Sequence, residues 1–251
     1  ALLICIILLI ATYILRPKNA LREGLNESSS YKIYDNDELY DSLYCSVYDD
    51  LVKSDLKNIF EIEVIKNNTG LGNNSLVLDV GSGTGHHVNL LSKAVGSVIG
   101  VDKSPHMIKE AKKLYPKLDF REGNIMNSMI FSDNVFTHIT CLYFTIYYFK
   151  DKERFFQNCY KWLTPGGTLV IHLVDKFNFD PIVGAGDPFI KVSPQKYANK
   201  RITNTTVAFD KFKYSSDFKL GEGDEAIFEE KFNFKNSPKQ TRVNQHKLIM
   251  P

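Results

Sequence analysis

The sequence predicts an α/β fold built on a doubly wound parallel sheet, with helices before it and an antiparallel β extension after it. Between residues 75 and 174, five short apolar runs are mostly separated by segments whose apolar residues recur at helical spacing. Short, continuously apolar runs are typical of strands that helices cover on both faces. After Asp175 the pattern changes to aromatic-rich runs separated by Gly or Asn-Ser-Pro turns, which is typical of antiparallel strands.

The predicted strands of the sheet are 75–80, 97–101, 118–123, 135–142 and 168–174, with helices at 85–95, 104–114 and 152–163. The helix that follows the second strand has the clearest boundaries. Ser104 is suited to cap its amino end, Pro105 fits the first helical position, and the Tyr115-Pro116 pair ends it. Because ligands bind at the carboxyl ends of the strands in such sheets, the site is expected there.

Two further segments flank the predicted sheet. Residues 31–74 are predicted to form a helical lid of two amphipathic helices, with inward-facing residues Leu39, Leu43, Val47 and Leu51, then Leu56, Ile59, Phe60 and Val64. Four tyrosines of this segment are candidates for lid residues: Tyr31, Tyr34, Tyr40 and Tyr44. Residues 176–251 follow the core at 75–175 and are predicted to add strands 207–214, 226–234 and 245–250 at the sheet edge or over the site, with the extension cut short at its end.

The first 15 residues are uncharged and almost wholly apolar, and Arg16, Lys18 and Arg22 follow at once. This pattern predicts part of a membrane anchor, joined to the folded part by a linker at 16–30. The basic residues on the carboxyl side predict that the rest of the chain is on the cytosolic side. A signal peptide, which carries its positive charge before the apolar run, and a buried helix are the other two interpretations.

Composition narrows the class of function. Hydrophobic residues make up 43% of the 251, which is enough for a sizeable core. The net charge of +2 gives no reason to expect binding to nucleic acid, which requires a clustered basic surface. The cysteines, Cys5, Cys45, Cys141 and Cys159, are far apart and form no C-x-x-C pair, so neither a metal site nor a disulfide framework is predicted.

The residues that carry chemistry follow the first two strands of the predicted sheet. The first strand runs into Asp79-Val-Gly81-Ser-Gly83-Thr-Gly85, and the second ends at Asp102, 21 residues after Gly81. Such glycines let the backbone turn sharply and a ligand approach closely, while the next helix offers its free N–H groups. A carboxylate at the end of the second strand can accept hydrogen bonds from ribose hydroxyls. The two features together predict a site for a nucleotide-like ligand.

Two features distinguish this motif from the dinucleotide fingerprint G-x-G-x-x-G. His86 stands where the fingerprint has its last glycine, and the acidic residue Asp79 precedes the loop. A carboxylate in that place is poorly suited to a diphosphate but suits an ammonium group. S-adenosylmethionine is therefore favoured over NAD as the ligand.

Five blocks of sequence occur in one order: LDVGSGTG, VIGVDKSPHMIKEAKKLYP, REGNI, the fourth predicted strand and WLTPGGTLVIHL. In these blocks the chain resembles the class I S-adenosylmethionine-dependent methyltransferases, over roughly residues 75–174. The resemblance implies a Rossmann-like sheet, S-adenosyl-L-methionine as the cofactor, and methyl transfer to a small-molecule or protein acceptor.

The resemblance also implies which residues contact the cofactor. Asp79, Gly81, Gly83 and Gly85 would line the methionine portion, and Asp102 would hold the ribose. The remaining contacts would be Lys103 and Met107 near the adenine, Asn124 and Ile125 at its edge, and Cys141 and Leu142 beside the sulfonium. The family often has Asp where Asn124 stands, which implies weaker or altered recognition of the adenine.

Methyl transfer from a sulfonium needs alignment and exclusion of water, and not every case needs a base. If the methyl acceptor is an amine or a hydroxyl, the candidates for removing its proton are Tyr143, Tyr147 and His138, with Tyr148 beside them. Two alternatives stay open. One is a catalytically silent protein that binds S-adenosylmethionine or acts as a scaffold, and the other is an NAD(P)-dependent oxidoreductase, which His86 disfavours.

Overall fold

The computed structural model describes residues 31–182, 193–235 and 241–251. The predicted anchor at 1–15 and linker at 16–30 lie outside these ranges. The helices are α1 (Asn36–Leu39), α2 (Ser42–Val52), α3 (Asp55–Thr69), α4 (His86–Leu91), α5 (Pro105–Leu114) and α6 (Lys152–Trp162). The strands are β1 (Tyr31–Asp35), β2 (Leu76–Val80), β3 (Ser97–Asp102), β4 (Asp119–Glu122), β5 (Phe136–Cys141), β6 (Leu163–Ile171), β7 (Asn204–Ala208), β8 (Phe212–Leu220), β9 (Glu225–Phe234) and β10 (Thr241–Ile249).

The first sheet is the predicted parallel one, with strand order β4-β3-β2-β5-β6. Its central strands are buried because they are continuously apolar; Val77, Leu78 and Ile139 are 0% exposed. The chain passes from β2 to β3 on one side and later returns to β5 on the other, so the strand order reverses next to β2. The carboxyl ends at such a reversal form a crevice, which is where ligands bind in doubly wound sheets.

One boundary of this sheet differs from the expectation. Strand β6 begins at Leu163, whereas the sequence predicted a start at Thr168 after a turn. Leu163 pairs with Phe136 and Thr168 pairs with His138, so the Pro-Gly-Gly segment lies in the strand as an irregularity in the register. The prediction of a turn that ends before the strand begins is therefore wrong.

The second sheet has the order β1-β10-β9-β8-β7, and only β1 runs parallel to its neighbour. It is a separate sheet, not an addition to the edge of the first. The sequence predicted a helix over residues 31–35, but they form β1 because they pair with Thr241–Gln245, a contact between distant parts of the chain. The single strand predicted at 207–214 is wrong as well, because a turn at 209–211 divides it between β7 and β8.

Helix α2 packs on one face of the second sheet. Its buried residues join strand residues in one cluster formed by Tyr44, Val47, Leu51, Phe212, Tyr214 and Phe232. Tyr44 is only 3% exposed and belongs to this core, whereas Tyr34 and Tyr40, also predicted as lid residues, line the cleft described below. Tyr31 is 59% exposed on β1.

Helix α3 buries a different face from the predicted one. The expected inward residues Leu56 and Phe60 are 84% and 68% exposed, while Ile62 and Ile65 are buried. Polar contacts turn the helix this way, since the buried Asn58 accepts a hydrogen bond from the Tyr143 hydroxyl at 2.9 Å. No helix within the described ranges is both long enough and apolar enough to cross a membrane.

Candidate functional site

A cleft of about 1310 Å³ lies at the carboxyl ends of β2 and β3. The glycine loop and Asp102 line one side, and residues of the second sheet, among them Ala226, Leu248 and Ile249, line another. Single-ligand pockets typically measure about 300–1,000 Å³. The cleft therefore has room for a nucleoside-sized ligand and a second small molecule.

The glycine loop follows β2 and leads into α4. Gly83 and Gly85 have φ angles of +53° and +87°, a region that residues with a Cβ rarely adopt. At Gly85 space is also restrictive, because an added Cβ would lie 2.5 Å from Cζ of Phe120. The sequence places glycine where the backbone must turn and where its neighbours leave no room.

Asp102, the last residue of β3, is joined to this loop. Its Oδ2 accepts a hydrogen bond from the Gly83 amide and its Oδ1 from the Ser104 amide, both at 2.9 Å. Burial raises the pKa of this carboxyl, and the backbone hydrogen bonds partly oppose that effect. Each carboxylate oxygen can accept more than one hydrogen bond, so the group can also receive a vicinal diol from the cleft.

Asp79 lies deeper than Asp102 and is 3% exposed. Its Oδ1 accepts a hydrogen bond from the Thr140 hydroxyl at 2.7 Å, and burial raises the pKa of Asp79 to about 6. The residue lines a small cavity of about 60 Å³ that shares Gly81, Gly83 and Tyr48 with the large cleft. A buried carboxylate of this kind favours a cation beside it.

Part of the cleft wall is apolar. Met107 and Ile125 line it and are 2% and 6% exposed, and Lys103 and Asn124 line it as well. Asn124 Oδ1 accepts a hydrogen bond from the Met126 amide at 3.0 Å, so one of its two lone pairs is used within the loop. These apolar walls beside an amide can hold a flat heterocycle by its faces and one edge.

Helix α2 covers the glycine loop. Asp49 accepts hydrogen bonds from the Thr84 hydroxyl at 2.7 Å and pairs with His86 Nε2 at 2.8 Å. Tyr48 lies nearby, since a Cβ on Gly83 would be 4.0 Å from its ring. The lid helix is thus held to the loop by specific polar contacts. Neither Tyr48 nor Asp49 could be predicted as a site residue, because no local sequence pattern pairs Asp49 with a loop 35 residues away.

The three residues considered for proton removal lie in different places. Both ring nitrogens of His138 are engaged inside the fold, with the Thr137 hydroxyl at 2.9 Å and the Thr69 carbonyl at 3.0 Å. The Tyr147 hydroxyl bonds the backbone of Val174 at 2.8 and 3.3 Å. His138 and Tyr147 are not among the residues that line the large cleft, whereas Tyr143 lines the small cavity.

Most of the predicted cofactor residues come together. Those that line the large cleft are Gly81, Gly83, Asp102, Lys103, Met107, Asn124 and Ile125, and the small cavity adds Asp79 and Leu142. Gly85 and Cys141 line neither. Gly85 packs against the Phe120 ring, which leaves no room for a side chain. Cys141 is 0% exposed in the core, where burial raises the pKa of its thiol.

The geometry fits S-adenosylmethionine in three respects. A carboxylate stands at the end of β3 for the ribose, a buried carboxylate stands near the loop for an ammonium, and apolar walls lie where a base would fit. The fold brings these groups together, because the glycine loop and Asp102 stand at the carboxyl ends of two neighbouring parallel strands, β2 and β3. Among the described residues no group of three metal-ligating side chains is present.

Comparison with known proteins decides the type of domain. Residues 78–171 match the family model described as "Methyltransferase domain". These residues form a methyltransferase domain. A demethylmenaquinone methyltransferase of Chlorobaculum parvum is 35% identical over 96 residues, which are 38% of this chain and 39% of that protein. A phosphoethanolamine N-methyltransferase of Plasmodium falciparum is 30% identical over 108 residues, 40% of each protein. The chain thus spans about two-fifths of the length of these curated relatives.

The fold of the methyltransferase domain and its flanking sheet also occurs in solved structures. An S-adenosylmethionine-dependent methyltransferase from Clostridium acetobutylicum has a TM-score of 0.61 with 18% identity, covering 83% of this chain and 81% of that one. This likeness covers more of the chain than the family match at residues 78–171 does. The fold is that of class I methyltransferases.

Proposed function

We propose that the protein transfers a methyl group from S-adenosylmethionine to a small molecule that enters the cleft between the two sheets. The observation that carries this proposal is the hydrogen bond between Asp102 and the Gly83 amide, within a cleft large enough for cofactor and methyl acceptor. The second sheet lines this cleft through Ala226 and Leu248, and this enclosure favours a small molecule over a protein side chain as the acceptor.

The residues divide the binding of the cofactor between them. Asp102 receives the ribose hydroxyls, Met107 and Ile125 contact the faces of the base, and Asn124 meets its edge. Asp79 attracts the ammonium of the methionine portion through the deep cavity. When bound, S-adenosylmethionine supplies an electrophilic methyl group on a positively charged sulfur.

The chain contributes alignment and exclusion of water. Tyr48 and Thr145 line both the cleft and the small cavity. They therefore lie where the nucleoside and the methionine portion of the cofactor would meet. Side chains of α2 and the second sheet keep water from the reacting atoms. Bringing two reactants together in a fixed geometry can supply several powers of ten in rate.

The test is release of S-adenosylhomocysteine, measured with a panel of acceptors: phosphoethanolamine, an amino sugar, a hydroquinone and a thiol. Turnover with one of them that falls in the Asp102→Ala variant supports the proposal. Binding of S-adenosylmethionine without turnover on any acceptor would favour a catalytically silent binding protein. Binding of NADH in its place would favour an oxidoreductase.

We further propose that residues 1–15 attach the protein to a membrane, with the methyltransferase domain on the cytosolic side. The support is the uncharged apolar run followed by Arg16 and Lys18. Flotation of the full chain with anionic liposomes tests this. We expect flotation that is lost when Ile7 and Leu9 are both replaced by Asp, and a full chain that stays at the bottom of the gradient would contradict it.

A further inference from the structure

A chain of hydrogen bonds leads from the cleft into the second sheet. The Tyr40 hydroxyl bonds the Tyr148 hydroxyl at 3.0 Å, and Tyr148 in turn bonds Nδ1 of His246. Nε2 of His246 pairs with Oε2 of Glu230 at 2.8 Å. Tyr40 and Tyr148 line the cleft, while His246 and Glu230 are 4% and 2% exposed.

These four groups come from three parts of the fold. Tyr40 follows α1, Tyr148 ends the 3-10 turn after β5, and the other two lie on β10 and β9. Two of the three parts lie outside the region matched by the family model, residues 78–171. The cleft thus meets a polar path that only the assembled chain creates.

The path has one consistent direction of donation. Tyr40 donates to Tyr148, and Nε2–H of His246 donates to Glu230, because a carboxylate can only accept. Nδ1 of His246 can then accept the hydrogen bond of Tyr148. Burial would raise the pKa of Glu230, but its interaction with His246 and the hydrogen bonds from Asn244 and Tyr44 hold it below its ordinary value. Glu230 is further bonded by the Tyr214 hydroxyl at 2.8 Å and the Asn244 amide at 3.1 Å. It is therefore a fixed anion placed to stabilise an imidazolium.

We propose that Tyr40, Tyr148, His246 and Glu230 form a proton relay that serves a methyl acceptor with a dissociable proton, an amine or a hydroxyl. This inference rests on the proposed function. The atom X of the acceptor forms a bond to the methyl carbon as the sulfur–carbon bond breaks, and that electron pair stays on sulfur. The X–H proton bonds to the Tyr40 oxygen, the proton of Tyr40 moves to Tyr148, and the proton of Tyr148 moves to His246 Nδ1.

Burial raises the pKa of both tyrosines, so neither phenol serves as a phenolate base in the resting protein. Each passes on one proton while it receives another, and the net base is His246. A relay of neutral hydroxyls requires both tyrosine hydroxyls to be present, whereas a single phenolate base would not. Removal of one hydroxyl separates the cleft from the imidazole.

The first test observes the relay without any acceptor. In protein labelled with ¹⁵N-histidine, Nε2 of His246 is expected to carry the ring proton and Nδ1 to accept a hydrogen bond. The Tyr148→Phe variant should move the Nδ1 resonance toward its unbonded value, and the control Tyr160→Phe, which alters an exposed tyrosine, should not. A proton on Nδ1 of His246 would overturn the relay.

The second test separates proton transfer from structure. With the amine or phenol that the acceptor panel identifies, Tyr148→Phe and Tyr40→Phe are each expected to lower kcat about 100-fold with little change in KM. Tyr160→Phe should leave both constants unchanged. Equal kcat values in Tyr148→Phe and the unmodified protein would refute the proposal. Failure to methylate every probe would count against the proposed function, whereas the histidine spectrum tests the relay by itself.

Discussion

Asp102 and Gly83 lie 19 residues apart in the chain and are joined by a hydrogen bond of 2.9 Å from the glycine amide to the carboxylate. This contact connects the ends of β2 and β3, which are neighbours in the sheet. A carboxylate that lines the cleft is thereby oriented by the glycine loop that lines the same cleft. The candidate site is thus partly organised by contacts within the chain.

The glycine loop gives a prediction about stability. Gly85→Ala should lower the free energy of unfolding by about 2–4 kcal/mol, because the new Cβ meets the Phe120 ring and the backbone has a positive φ. Gly70→Ala is the matched control, since its φ is +69° but nothing lies within 4 Å of the added carbon. It should cost only about 1 kcal/mol. Urea denaturation measures both, and equal losses would show that the space beside Phe120 is not limiting.

Asp79 gives a prediction about pH. Its pKa is about 6 in the folded protein because of burial, and near 3.8 in the unfolded chain. The protonated carboxyl therefore stabilises the fold at low pH, and that stabilisation is lost as the pH rises through about 6. The variant Asp79→Asn has no titrating group at this position. Its free energy of unfolding, relative to that of the unmodified protein, should therefore rise by on the order of 2 kcal/mol between pH 4 and pH 7.

Denaturation without cofactor at several pH values measures this difference. The comparison between the two proteins removes the contributions of other titrating groups that they share. A difference in stability that stays constant from pH 4 to pH 7 would show that Asp79 titrates normally.

Helix α3 gives a prediction that distinguishes its two faces. Ile62→Ala should cost about 2–5 kcal/mol because the side chain is 5% exposed. The identical change at Ile59, which is 49% exposed, should cost less than about 0.5–1 kcal/mol. Thermal and urea denaturation of the two variants provide the measurement. A larger loss of stability in Ile59→Ala than in Ile62→Ala would contradict this orientation of α3 and support the buried face that apolar spacing alone predicts.

The parallel sheet could be predicted from the sequence because its information is local. Continuous apolar runs, the Ser104 cap with Pro105, and the glycine loop each lie within a few residues of the structure they determine. The same holds for Asp102, whose place at the end of a strand follows from the length of that strand. For this reason the sequence could predict most of the residues that meet at the candidate site.

The second sheet and the relay could not be predicted in the same way. Strand β1 exists because it pairs with β10, about 210 residues further along the chain, and no local pattern shows that pairing. His246 and Glu230 stand in an alternating strand pattern that is typical of any half-buried sheet. Their importance arises only when the sheet places them behind Tyr148.

The prediction of which face of α3 is buried was wrong for a different reason. Apolar spacing assumes that burial of hydrocarbon decides which side of a helix turns inward. Here Asn58 and Glu61 take specific partners, Tyr143 and His87, and those contacts orient the helix. Polar pairing between distant residues outweighed a local apolar stripe.

The most direct test of the account is calorimetric titration of the protein with S-adenosylmethionine. We expect binding to the unmodified protein, and binding weaker by about 10- to 100-fold in Asp102→Asn, because hydrogen bonds to a charged carboxylate are lost. The control Asp119→Asn alters a surface carboxylate that contacts Arg121 and should bind normally. No heat with the unmodified protein, or equal affinity in Asp102→Asn, would contradict the assignment of this cleft as the cofactor site.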